Sequence, residues 1–221
     1  MIKRLLAVLV LLTTCSIANA TPVVQFSDFI ADGSRSNFNG FENIPNDGLF
    51  FTGGNGPYVE DGISVKQVNG DDKIYVKMEL HQGNFIWYPN AGDHGYTEIT
   101  RSGAVDFGNA GMIIQSGFNA ATPRSTFYEL LNDDATVLAG SYISANDQYL
   151  GFSGGGFDTI RLSNCLDCDP FSTTITDGHF QALAVDSIEI SAVPEPETYA
   201  MFMAGLGLMG FIARRRKNSQ A

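Results

Sequence analysis

Lys73-Ile74-Tyr75-Val76-Lys77-Met78-Glu79-Leu80 alternates, with Ile74, Val76, Met78 and Leu80 on one side and Lys73, Lys77 and Glu79 on the other. A period of two belongs to an extended strand with one face on a core. Ile63-Ser64-Val65-Lys66 follows the same pattern just upstream. Asn69-Gly70-Asp71-Asp72 lies between the two and has turn chemistry, so residues 62–80 read as a hairpin. Ser125 to Leu131 and Ala135 to Leu138 flank Asn132-Asp133-Asp134 and make a second hairpin. Tyr149 to Phe152, Phe157 to Ser163 and Phe180 to Ser191 supply further strands. Before residue 198 no apolar stripe of helical period runs beyond about two turns. These short strands and regular turns predict an all-β domain, an antiparallel β-sandwich of jelly-roll type.

Phe157-Asp158-Thr159-Ile160-Arg161-Leu162-Ser163 and Val185-Asp186-Ser187-Ile188-Glu189-Ile190-Ser191 share one pattern. It predicts two strands that bury Ile160, Leu162, Ile188 and Ile190, each opened by an Asp whose carboxylate bonds nearby backbone.

Composition agrees with strands and turns: 24 Gly, 16 Phe and 8 Tyr among 221 residues. That length suits one domain with appendages. A formal net charge of −11 argues against a nucleic-acid binder, which needs a basic face. A hydrophobic share of 44% excludes a disordered acidic chain.

The two ends stand apart from this pattern. Residues 1–20 combine Lys3 and Arg4, an apolar run from Leu5 to Leu12, and the small-residue site Ala18-Asn19-Ala20. That order predicts a secretory signal peptide, with an apolar run too short to span a bilayer. At the other end, Val193-Pro194-Glu195-Pro196-Glu197 is stiff and acidic. Thr198 to Ala213 then runs without a charge into Arg214-Arg215-Arg216-Lys217. Sixteen helical residues rise about 24 Å, short of a full hydrocarbon core. The cation cluster completes the anchor by reaching headgroups and staying cytoplasmic. Residues 198–213 are therefore expected to form one short transmembrane helix, with 218–221 as a tail. The ectodomain between, residues 21–193, holds 7 Lys+Arg against 22 Asp+Glu, a net charge of −15.

Pro-Glu-Pro, a short apolar helix and an Arg-rich end, in that order over Val193–Lys217, resemble the PEP-CTERM sorting signal of Gram-negative bacteria. The resemblance implies that exosortase, a membrane protease-transpeptidase, recognises Pro194, Glu195 and Pro196 within the 194–217 signal. It further implies removal of the helix and delivery to the cell surface or extracellular polysaccharide matrix. The Tyr149–Asp158 segment also resembles a recurring stretch of some PEP-CTERM ectodomains.

Few residues suggest chemistry. Gly151-Phe152-Ser153-Gly154-Gly155 fits G-x-S-x-G, but a nucleophile elbow needs a strand entering a helix, and here a strand follows. His81, His94 and His179 lack metal spacing. Cys165-Leu166-Asp167-Cys168 has neither a second C-x-x-C for zinc nor a βαβ setting for redox work. In an oxidising compartment Cys165 and Cys168 are expected to pair. Asp167, Asp169 and Asp177 form an oxygen-rich stretch, a weak calcium candidate without D-x-D-x-D-G spacing. Phe85 to Tyr96 contains the single Trp on a Pro/Gly-rich stretch. Trp87, Tyr88 and Tyr96 with Asn90 and Asp93 could form a carbohydrate-binding loop, or Trp87 and Phe85 could be core residues at a strand end.

The sequence thus predicts an exported, non-catalytic surface or matrix protein, with extracellular polysaccharide as candidate ligand. A secreted polysaccharide or ester hydrolase is the alternative, and it requires paired carboxylates. A structural surface protein with no specific ligand is the other.

Overall fold

A computed structural model describes residues 21–28, 30, 34–44, 50–52, 57–76, 83–103, 105–115, 124–144, 148–165, 183–192, 205–207 and 209–210. Seven strands lead in: β1 (Val23–Gln25), β2 (Asn37–Asn39), β3 (Phe50–Thr52), β4 (Tyr58–Glu60), β5 (Ile63–Asp71), β6 (Lys73–Val76) and β7 (Phe85–Trp87). Seven more follow: β8 (Asn90–Arg101), β9 (Phe107–Gln115), β10 (Arg124–Asn132), β11 (Ala135–Ser144), β12 (Gln148–Phe157), β13 (Thr159–Cys165) and β14 (Ala184–Ala192). They form two antiparallel sheets stacked as a sandwich. The eight-stranded sheet runs β1-β12-β9-β14-β7-β6-β3, with β2 sharing the β14 edge that β7 also uses. The six-stranded sheet runs β11-β10-β13-β8-β5-β4.

Alternation found the buried face of β5 and the start of β6, but Val76, expected on the face of Ile74, is exposed where β6 ends, and Met78 and Leu80 lie outside the described residues. Ile74 in β6 and Ile63 and Val65 in β5 point into the core at 1%, 0% and 0% exposure. The expected 62–80 hairpin, however, is corrected: β5 and β6 belong to different sheets. Asn69 adopts φ 52° at a bulge, and β5 continues alongside β8, with Asp71 opposite Asn90. The Asp72 carboxylate then accepts the Gln67 N–H at 2.5 Å, where the chain crosses from one sheet to the other. The true hairpin lies upstream, where Asp61-Gly62 at φ 44° and 75° joins β4 to β5. Positive φ at both positions makes the two-residue turn that matches strand twist. Asp133-Asp134, at φ 49° and 63°, makes the same turn between β10 and β11, as expected for the second hairpin.

The related segments become β13 and β14, one in each sheet. Ile160, Leu162, Ile188 and Ile190 are all fully buried between the layers. Asp158 accepts the Asp133 N–H at 3.0 Å, and Asp186 accepts the Ser187 N–H at 2.6 Å. Gly154-Gly155-Gly156, at φ 105°, 68° and 75°, is a bulge inside β12 opposite Gly108 of β9. Side chains rarely adopt three such angles in a row. At the C-terminal end, residues 205–207 and 209–210 are helical and exposed. The rest of the expected 198–213 helix and the expected signal peptide lie outside the described residues. No helix among the described residues is long and apolar enough to cross a membrane.

Ile188→Ala should cost about 2–5 kcal/mol of stability, because it opens a cavity where the two sheets meet. Val59→Ala, on an edge strand at 47% exposure, should change stability by about 0.5 kcal/mol or less. Urea unfolding of the exported protein reads both.

Candidate functional site

The outer face of the six-stranded sheet carries a row of charges set by strand register. Lys66 of β5 stands opposite Glu98 of β8, Glu98 opposite Arg161 of β13, and Arg161 opposite Glu129 of β10. Their neighbours Val65, Ile99, Ile160, Leu162 and Leu130 face the core, so alternation turns these four outward. Lys66 Nζ lies 2.7 Å from Glu98 Oε1, and Arg161 Nε lies 3.0 Å from Glu98 Oε2. Arg161 Nη1 continues to Glu129 Oε2 at 3.3 Å, and the Thr136 hydroxyl of β11 donates to Glu129 Oε1 at 2.5 Å. The row therefore crosses five of the six strands.

Burial alone would raise the Glu98 carboxyl, but hydrogen bonds from Lys66 and Arg161 and their charges outweigh it and hold the pKa below 4.5. Arg161 also lies over the Tyr96 ring, 5.1 Å from its centroid. Burial raises the Tyr96 hydroxyl, and the Arg161 charge partly offsets it. Ser163 donates to the Gly95 carbonyl at 2.7 Å beside this pair. At neutral pH Glu98 is ionised and held by two cations, so it accepts hydrogen bonds and is no proton donor.

The expected carbohydrate-binding loop is not a loop. Residues 85–96 are β7, the link Tyr88-Pro89 and the start of β8. Of its two readings Trp87 takes the core one and leaves the candidate carbohydrate site: it is 0% exposed and stacks on Phe41 at 5.9 Å. Its Nε1–H donates to Thr97 Oγ1 at 3.1 Å, and Thr97 donates in turn to Gln67 Oε1 at 3.0 Å. That chain satisfies the indole inside the sandwich, which is what a buried Trp requires. Phe85 packs partly buried against the same core. Tyr88 follows β7 on the eight-stranded sheet, edge-on to Tyr75 at 5.5 Å, whereas Tyr96 belongs to the six-stranded sheet. The two tyrosines do not converge. Asn90, Asp93 and His94 lie on the β8 backbone, with side chains outside the described residues.

Ser153 lies within β12, and its Oγ accepts from Gln25 Nε2 at 3.1 Å. Strand β13 follows, so the elbow geometry is absent there. Cys165 closes β13 opposite Ser125. Cys168, Asp167, Asp169, Asp177, His81, His179 and Pro194-Glu195-Pro196 lie outside the described residues. Among the described residues no cluster of three His, Cys, Asp or Glu side chains could hold a metal ion. Sequence reasoning did not find Lys66, Glu98, Arg161 and Glu129 as a group. Each was readable as an outward charge beside a buried aliphatic, but their meeting depends on register between distant strands.

Strand β14 ends at Ala192, and residues 192–217 match the PEP-CTERM protein-sorting motif. The chain carries a PEP-CTERM sorting signal. That signal implies export, sorting to the cell surface and processing by exosortase. No curated protein matches the chain in sequence. Among solved structures, the chain is similar to the K1 cleaved adhesin domain of Lys-gingipain from Porphyromonas gingivalis W83. The identity is 13%, with 71% of this chain and 98% of that one covered, at a TM-score of 0.30. So loose a likeness has no bearing on function.

Arg161→Gln should leave Glu98 with Lys66 and Glu129 with Thr136 as their remaining partners and cost about 1–2 kcal/mol at pH 7. The folded-state pKa of Glu98 is lowered, so its contribution is present above its ordinary 4.5 and lost as pH falls through the folded value. The deficit of the variant should therefore be full above pH 4.5 and shrink below it, as read by denaturant unfolding across pH.

Proposed function

We propose that this protein is exported, cut by an exosortase-type membrane protease, and then serves as a non-catalytic surface or matrix protein that binds polysaccharide. The carrying observation is that the sorting signal begins on the last residue of β14. Removal of everything beyond residue 197 takes away none of the described strands, so the sandwich can be released whole. In this reading residues 1–20 are the signal peptide, 198–213 the transient membrane helix, and Pro194-Glu195-Pro196 the recognition motif. The Cys165–Cys168 pair is oxidised once outside.

The winding supports a jelly roll. From β7 onward the chain lays down β7-β14-β9-β12 in one sheet and β8-β13-β10-β11 in the other, so the last strand returns beside the first. Polysaccharide is assigned to the outer face of the six-stranded sheet, with Tyr96 and the Lys66-Glu98-Arg161-Glu129 row as its contacts. An aromatic edge suits the apolar C–H face of a sugar, and fixed donors and acceptors suit its hydroxyl rim. The net charge of −15 over residues 21–193 favours a neutral polymer over an anionic one. With Glu98 held ionised between two cations, the row fits recognition better than glycoside hydrolysis, which needs one carboxyl protonated.

Intact-mass analysis of surface-released protein should find residues 198–221 absent, and replacing Pro194 and Pro196 by Ala should leave the full tail in the membrane fraction. An attached tail on released protein would refute the processing step. On an array of neutral polysaccharides, Tyr96→Ala and Lys66→Ala should each reduce binding by about tenfold with little change in melting temperature. Unaltered binding in both variants would move the site elsewhere. No binding by the unmodified protein would leave a structural surface protein with no specific ligand.

A further inference from the structure

The six-stranded sheet ends in an open strand. β11 runs for 10 residues, Ala135–Ser144, and pairs with β10 alone among the described strands. Its sequence, Ala-Thr-Val-Leu-Ala-Gly-Ser-Tyr-Ile-Ser, contains no charge and no proline. Ala135, Thr136, Val137, Ala139 and Ser141 are exposed. The other sheet edges, β1, β3 and β4, are 3 residues each, and β4 ends on Glu60 next to Asp61. Sheets ordinarily protect an edge by brevity, charge, proline, a bulge or cover. Brevity protects the other three edges; β11 has a bulge at Val137, and beyond it Leu138–Ser144 is in regular register, neutral and free of proline.

We propose that β11 pairs antiparallel with β11 of a second copy of this chain, joining two six-stranded sheets into one across a two-fold axis. Charge selects the partner's position. Two copies of a −15 domain repel one another, and a neutral edge is where they can approach with least cost. With Ala139 opposite the partner's Ser141, the axis passes through Gly140, and the bulge at Val137 brings Ala135 opposite the partner's Ser144. The acidic turn Asp133-Asp134 of each copy then lies beyond the end of the partner's β11. Arg124, one of 7 cations in residues 21–193, is the register partner of Ser144 on β10. The acidic turn of one copy therefore meets the Arg124 end of the other, two strand spacings or about 10 Å away. That separation is about one Debye length, and symmetry repeats it at both ends. Glu129 and its copy stand three spacings apart, about 14 Å, and each is already held by Arg161 and Thr136. Among the described residues, the acidic turn and Arg124 are thus nearer across this seam than the two copies of Glu129.

Sedimentation equilibrium of the exported protein tests this. A reversible dimer is expected, weakened by Arg124→Glu. Ala139→Lys should weaken association at least about tenfold, because it sets two cations beside the axis. Val59→Lys on the opposite edge should leave the dimer unchanged. Far-UV circular dichroism and melting temperature check that each variant folds, and Ser141→Lys replaces Ala139→Lys if that variant does not. A wild-type protein that stays monomeric at every concentration overturns the proposal. A dimer untouched by Ala139→Lys and Ser141→Lys, or one lost with Val59→Lys, overturns it equally.

Discussion

Everything in the sandwich leans on β14 being bonded along both edges. On one side it pairs with β9 from Ala184 to Ala192; on the other, Val185 meets Trp87 of β7, and Ile188 to Ile190 meet β2. Residues 183–190 are all buried. A strand in this position can be neither frayed nor omitted without dividing the eight-stranded sheet. Its sequence reflects the demand. Aliphatic residues face inward, and a bulge at Ser187, φ 49°, is closed by the Asp186 carboxylate. Glu189 reaches Arg35 at 3.0 Å across 154 residues of sequence. Contacts of such separation close late, so the sheet is completed only when the chain has been delivered to its end at Ala192. The sorting signal follows at once, which places its recognition after the fold is whole in the chain order.

A second constraint fixes β7 against that centre. The Glu42 carboxylate accepts the backbone N–H groups of Asn84 and Phe85. Gly83 takes φ 86°, which favours glycine, and an added Cβ there would meet the Glu42 carboxylate. Phe41, just before Glu42, takes φ 60°, an uncommon angle for a residue with a side chain. The Asn39 side chain compensates by accepting the Phe41 N–H at 3.0 Å. Phe41 is thereby set between Tyr58 and Trp87, with centroids 5.6 Å and 5.9 Å away. The strained turn and the clamp together explain why the single Trp is interior.

Periodicity in the sequence carried strand and face but not partner. Asn69-Gly70 and Asp61-Gly62 are the same kind of turn dipeptide, yet one bends a continuing strand and the other makes a hairpin. What separates them is long-range: β8 is present to pair with Gly70 and Asp71, and nothing local announces that. Trp87 was ambiguous for a related reason, since its hydrogen-bond partner Thr97 lies on a strand of the other sheet. Ile160, Leu162, Ile188 and Ile190 were legible because burial of alternate aliphatics needs no knowledge of neighbours. The charge row was not, because four outward charges on four strands become one feature only after register is known.

The two outer faces differ in what they can meet. On the eight-stranded sheet, the outward Glu189 is 8% exposed and paired to Arg35, whose guanidinium covers Phe38 at 4.4 Å. The connection from β1 to β2 brings Arg35 there, with Ile30 buried at 4% exposure. That face is already engaged by the chain itself. On the six-stranded sheet, the outward Lys66 and Arg161 keep 47% and 25% of their side-chain surface exposed. A charge that is both positioned by a neighbour and still wet can exchange water for a ligand hydroxyl without losing its ion pair. Arg35 keeps the same 25% as Arg161, so the difference between the faces rests on Lys66, the most exposed member of either set of pairs, and the proposed recognition falls on its side, away from β14.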